Sequence, residues 1–252
     1  MPFTPTHIVA VLPFWPLRRV VPFSAFSIGA MIPDVPLFFP MVDYAQTHSS
    51  TGLLSLCLPL GMGGFFLFEL VMRKPMIALL PERLASRLSP EPNLPKQSFL
   101  SVLRYVIAIA FAIVAGAYTH QIWDAFTHKG RWGTQLMPML NSSIAIGGLH
   151  VPGYKALQYG STFIGLPLLA LLAAIELNRT MPMFRRGTLP SQWKLVAIAL
   201  LFVVPTGVAL YTYMGTSNAH QALFLTITRS GSILMGLLFV YCALFQDRKS
   251  VV

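Results

Sequence analysis

The sequence predicts an all-α, polytopic membrane protein with five long transmembrane helices and an N-terminal broken or re-entrant helical hairpin. Three observations carry this. Of 252 residues, 55% are hydrophobic and only 10% charged, against about 25% charged in a soluble domain. The mean hydropathy is +0.65. Stretches 52–72, 99–123, 157–177, 193–214 and 223–245 are each apolar over about the 20 residues a helix needs to cross a bilayer. Such a chain is neither a water-soluble globule nor disordered. A single integral membrane domain over 1–252 is expected, with a site-bearing half at 1–133 and a C-terminal three-helix part at 157–245.

The elements follow in order. MPFTPTHIVAVLPFWPLRRVV lacks Lys or Arg ahead of its apolar stretch, so it reads poorly as a signal peptide and is expected to be retained. Residues 7–16 and 20–39 are apolar but interrupted by Pro13, Pro16, Pro22, Pro33 and Pro36. Ten α-helical residues rise only about 15 Å, so this region reads as a short helix, a turn at Arg18-Arg19 and a second, broken helix. The five long stretches must be helices, because a span satisfies its own backbone hydrogen bonds. Pro59, Pro167 and Pro205 lie inside three of them and are expected to kink them. Residues 73–98 are polar and proline-rich, with a short amphipathic helix expected at 81–88 that can rest on anionic lipid through Arg83 and Arg87.

The basic residues set an orientation. Arg73, Lys74, Arg83, Arg87, Lys96, Arg104, Arg179, Arg185, Arg186, Lys194, Arg248 and Lys249 fall on one side of the alternating spans. Lys129, Arg131, Lys155 and Arg229 fall on the other. The positive-inside rule then puts the C-terminus in the cytoplasm and the 124–128 segment on the outer side. Cys57 and Cys242 sit in apolar runs and act as small hydrophobes. The basic residues form no aromatic-interleaved stripe, so no nucleic acid is expected as partner; the partner is the lipid bilayer.

Only eight acidic residues exist. Glu82, Glu91, Asp43 and Asp247 lie in polar segments, and Glu69 and Glu176 near span ends. Asp34 and Asp124 stand in apolar surroundings, where an ionised carboxylate costs at least about 2.5–3.5 kcal/mol and persists beside a cation or metal. Asp124 belongs to His120-Gln-Ile-Trp-Asp124-Ala-Phe-Thr-His128. At about 100° per residue, each step of four drifts about 40°, so the three ligand-type side chains share a helix face. Imidazole and carboxylate suit zinc, manganese or iron. His7, Asp34 and His48 reach the same outer side on this topology. Together with His120, Asp124 and His128 they can hold one or two divalent ions, with zinc or manganese expected. Taken singly, His48 could be a helix cap and His7 a satisfied core histidine. His150 and His220 read as surface residues, and Trp123 and Trp132 as an interfacial aromatic belt. No GxGxxG, P-loop or GxSxG motif is present.

The segments MPFTPTHIVAVLP, IGAMIPDVPLF, THSSTGLL and GAYTHQIWDAFTHKG, with LQYGS later, resemble a bacterial family of uncharacterised integral membrane proteins. That family is similar in layout to the LexA-regulated, membrane-bound metal-dependent hydrolases. The resemblance implies a site of His7, Asp34, His48, His120 and Asp124, with His128 added, in a bacterial inner membrane. A metal-dependent hydrolase acting on a lipid or lipid-linked ester or phosphoester is the leading expectation, with Asp34 or Asp124 as catalytic base. An ion or metal transporter, and a structural membrane protein whose His/Asp cluster locks helices together, stand beside it.

Overall fold

The structure, a computed structural model, describes residues 3–91, 94–95, 98–183 and 191–247. Lys96, Arg185, Arg186, Arg248 and Lys249 lie outside the described residues. Among the described residues the regular structure is helical apart from one small hairpin. A 3₁₀ helix, Thr4–Arg19, is followed by the short apolar helix α1, Phe23–Phe38. Five helices long and apolar enough to cross a membrane are α2 (Leu53–Leu79), α3 (Phe99–Thr127), α4 (Gly153–Arg179), α5 (Ser191–Met214) and α6 (Ala219–Asp247). They fit an integral membrane protein.

The details differ from the sequence expectation in instructive ways. Thr4–Arg19 winds as 3₁₀, and at about 2 Å per residue its 16 residues extend about 32 Å, roughly twice the α-helical expectation for 7–16. Helix α2 runs on to Leu79, so Arg73 and Lys74 are helical; only Glu82–Ala85 forms a turn of helix within 81–88. Its first turn, Leu53–Cys57, is π-wound and leads into Pro59. The wider turn gives the proline ring room and absorbs its missing N–H. Helices α4 and α5 continue through Pro167 and Pro205. Between α3 and α4, strands Ser143–Ile146 and Leu149–Pro152 pair antiparallel. Gly147 and Gly148 close them with φ of 55° and 83°, both positive as the tight hairpin turn requires.

Two compact units are present. The first comprises Met1–Pro36, Val42–Phe65 and Leu94–Glu176; the second comprises Leu37–Met41, Phe66–Asn93 and Leu177–Val252. In the second, α5 and α6 pack together. Tyr241 donates to the Pro75 carbonyl (3.1 Å) and Gln246 to that of Val71 (3.1 Å). Buried Glu69 is paired with Arg73.

The first unit contains every candidate site residue. Its centre is the crossing of α1 and α3, made by glycine. A Cβ on Gly29 would stand 2.4 Å from the Ile113 carbonyl oxygen, and one on Gly116 would stand 2.4 Å from that of Phe26. The two backbones therefore touch directly, as small residues allow between helices in lipid. Gly61 of α2 admits the Ile113 side chain in the same way. Phe26, Ala30, Ile113 and Ala117 are fully buried around this crossing.

Candidate metal centre

Each ligand-type residue is placed by a local feature. Helix α1 breaks at Pro33 into a single 3₁₀ turn, Ile32–Asp34, which carries Asp34. His48 caps the short helix Tyr44–Thr47, whose own N-cap is Asp43. The Thr47 hydroxyl lies 2.8 Å from the Pro33 carbonyl oxygen, tying this turn to the Asp34 turn. The Gln121 amide donates to the carbonyls of Thr47 (3.0 Å) and Ser49 (3.2 Å), tying it also to α3. His120 and Asp124 are one turn apart on α3. The glycine crossing brings the Ala30 carbonyl within 2.8 Å of His120 Nδ1.

These contacts gather His7, Asp34, His48, His120 and Asp124 into one buried cluster. Asp34, His120 and Asp124 are inaccessible, and His7 and His48 are nearly so. His48 Nε2 lies 3.2 Å from His120 Nε2, 3.5 Å from Asp124 Oδ2 and 3.8 Å from Asp34 Oδ1. His120 Nε2 is 3.6 Å from both Asp34 Oδ1 and Asp124 Oδ2. His7 Nε2 is 3.7 Å from Asp124 Oδ1, and its ring stacks on His120 at 3.7 Å. Two carboxylates thus share a desolvated space. Among the described residues, their ion-pair partners are imidazoles rather than Lys or Arg.

Three features fit a divalent ion. The first is unmet bonding: both ring nitrogens of His7, Asp34 Oδ1 and both Asp124 oxygens are buried without a hydrogen-bond partner, a costly state for polar groups in a dry interior. The second is spacing. Ligand atoms at about 2.0–2.1 Å from a tetrahedral ion stand about 3.3 Å apart, close to the 3.2–3.8 Å separations here. The third is tautomer control. Nδ1–H of His120 donates to Ala30 and Nδ1–H of His48 to the Tyr44 carbonyl (3.0 Å). Both Nε2 lone pairs then face the cluster, as outer hydrogen bonds fix ligating histidines. Thr4 donates to Asp34 Oδ2 (2.8 Å) and holds that carboxylate in the same manner. His7, Asp34 and His120, and likewise His48, His120 and Asp124, are groups able to hold a metal ion.

His128 stands apart from these groups. Gly130, with φ of 80°, turns the chain, and His128 leaves the helix in an extended conformation. The one-face geometry of the sequence motif holds within the helix for His120 and Asp124, and the third member, just beyond the helix end, still turns its ring toward Asp124. Its Nδ1 faces the Asp124 carbonyl at 3.1 Å and its Nε2 the Gln158 amide nitrogen at 3.4 Å. Burial holds this imidazole below its ordinary pKa. Its Nδ1 is also 3.5 Å from Asp124 Oδ1. His150 is exposed on the hairpin.

Sequence reasoning gave no site role to Thr4, Gln121 or Gln158. Thr4 precedes His7 by three residues and Gln121 adjoins His120, but neither position identifies a second partner far along the chain. The Ala30 and Tyr44 acceptors are backbone carbonyls, which carry no residue signature. No curated protein and no solved structure matches the chain. The family described as "Domain of unknown function (DUF4184)" matches residues 1–245, and the chain belongs to that family.

Proposed function

We propose that this protein is a membrane-embedded, metal-dependent hydrolase of a lipid or lipid-linked ester or phosphoester, in a bacterial inner membrane. One observation carries the reading: three imidazoles and two carboxylates, brought from distant parts of the chain, meet in a buried space with unspent lone pairs. His7, Asp34, His48, His120 and Asp124 would hold one or two ions, with zinc or manganese suiting this borderline nitrogen and oxygen set. A divalent ion there would supply Lewis-acid polarisation of the scissile group and a nearby acidified water. The chain's own part is orientation and proton transfer. The Ala30 and Tyr44 carbonyls aim two imidazoles. Thr4 fixes one oxygen of Asp34 and leaves Oδ1 to take up a proton; Asp124, with both oxygens lacking a hydrogen-bond partner, is the other candidate base. The resemblance to membrane-bound metal-dependent hydrolases supports the same class. His128 and Gln158 form an outer pair that braces the Asp124 end of α3.

The test is metal analysis of purified protein followed by turnover of ester and phosphoester lipids before and after chelation. One or two equivalents of zinc or manganese, with chelator-sensitive release of product, are expected. Stoichiometric metal without turnover, together with metal uptake into proteoliposomes, would replace the hydrolase with a transporter. Metal-free protein of unchanged stability would leave a helix-locking cluster.

A further inference from the structure

A cavity of about 340 Å³ lies in the first unit among the N-terminal 3₁₀ helix, α3 and α4. His7, Val9, Trp123, Gly160, Ile164 and Leu168 are among its lining residues. Its walls are apolar except for Thr6, His7 and Ser161. The Thr6 and Ser161 hydroxyls are spent on the carbonyls of Phe3 (2.7 Å) and Gln158 (2.8 Å). Among these three, only His7 has polar side-chain atoms without a hydrogen-bond partner, and they lie buried just behind the cavity wall. It is therefore the residue shared by the cluster and the cavity.

His7 also differs from its two companions. Nδ1 of His48 and of His120 each meets a backbone carbonyl, whereas His7 Nδ1 meets no acceptor, although the side chain is fully buried. A ligating histidine ordinarily gives this second N–H to an acceptor. At Gly160 a Cβ would meet nothing within 4 Å, so α4 leaves open space there. Ile164, which lines the same cavity, is 71% exposed on α4, so the cavity reaches the face that α4 turns to lipid.

We propose that this cavity is a chain-binding site: one alkyl chain of a membrane amphiphile lies along α4 past Gly160, and its polar head sits at His7. The inference rests on the hydrolase reading and specifies its substrate class as a single-chain ester or phosphoester amphiphile, presented sideways from the bilayer. The volume is at the small end of the about 300–1,000 Å³ usual for ligand pockets, which suits one chain rather than two. The apolar walls take the chain, and the head comes to rest beside His7, against the wall that separates the cavity from the candidate metal centre. Two other cavities offer no such pairing. That among Trp193, Leu201 and Tyr241 has its phenol committed to Pro75. At that beside Arg83 and Arg87, the Arg87 guanidinium is committed to the carbonyls of Leu177 and Thr180.

The test uses a lysophospholipid carrying a diazirine on its chain, photolysed in nanodiscs with full-length protein. Cross-linked peptides should map to the cavity walls, around Val9 and along 157–168. Gly160→Leu fills open space, so it should keep wild-type metal content and thermal stability while cutting this labelling. Shutting out two methylenes alone is worth about tenfold. Gly160→Ala should fall between. Labelling spread over the apolar surface, or unchanged in Gly160→Leu, overturns the chain site. Wall labelling blocked by Gly160→Leu in a protein that holds no metal upholds the chain site while the hydrolase reading falls. Bound metal without wall labelling does the reverse.

Discussion

Asp124 has both carboxylate oxygens buried without a hydrogen-bond partner, within 3.5–3.7 Å of four imidazoles. Replacing it with Asn keeps the size and deletes the charge. If a divalent ion is the missing partner, Asp124→Asn should remove most bound metal, beyond the about 10–100-fold loss typical of outer-shell changes. It should melt like chelated wild type. If the cluster only locks helices, the same change removes a costly buried charge and should be neutral or stabilising. Melting with and without chelator decides. Thr4→Val is the finer probe. It leaves every metal-facing atom in place and removes the donor to Asp34 Oδ2, so metal affinity should drop by about 10–100-fold with little change in the melting temperature of the metal-free protein. Equal affinity in Thr4→Val would mean Asp34 needs no bracing. The residues that gather here were legible because ionisable groups are scarce in so apolar a chain and expensive at depth. Their orientation was not legible, because Ala30 and Tyr44 act through main-chain carbonyls and Gln121 acts across 72–74 positions.

The crossing of α1 and α3 converts glycine spacing into ligand geometry. Gly29 and Gly116 let the backbones touch, and that contact delivers the Ala30 carbonyl to His120. A Cβ at Gly116 would stand 2.4 Å from the Phe26 carbonyl oxygen and 2.7 Å from the Ala30 nitrogen, both rigid main-chain atoms. Gly116→Ala must therefore push the helices apart. A destabilisation of about 1–3 kcal/mol is expected, with metal loss because the His120 acceptor moves away. Gly63→Ala is the control, since nothing lies within 4 Å of that position. Retained metal and stability in Gly116→Ala, measured by calorimetry and metal analysis, would show the crossing to be loose. The long helices were readable from hydropathy because a span must be long and apolar. The 3₁₀ winding of Thr4–Arg19, the π turn that opens α2 and the Gly-Gly hairpin were not. They depend on how proline and glycine are accommodated locally, and α-helical periodicity does not register that. The end of α3 at Thr127, four residues past the apolar stretch 99–123, was by contrast marked in the sequence by Lys129-Gly130, and Gly130 has a positive φ.

Five crossing helices constrain sidedness before any charge is considered. The Gly147-Gly148 hairpin tip lies between α3 and α4, and the C-terminus follows α6. If α4, α5 and α6 each cross once, three crossings separate these two points, and they must face opposite compartments. The distribution of Lys and Arg then chooses which is which. With every long helix crossing once, Arg73, Lys74, Arg83, Arg87 and Arg179 would fall on the tail's side, and Lys129, Arg131 and Lys155 on the hairpin's side. The excess marks the cytoplasm, so the tail is expected inside. His128, at the end of α3 that leads to the hairpin, would then place the candidate centre toward the outer face. Two reporters test this together, one inserted between Gly147 and Gly148 and one fused after Val252. A reporter that is active only outside the cytoplasm should work at the hairpin and fail at the tail. Activity at both sites, or at neither, would mean that one of α4, α5 and α6 does not cross. Activity at the tail alone would keep all three crossings and reverse the orientation. The metal centre would then open to the cytoplasm, and an amphiphile would have to reach it from the inner leaflet.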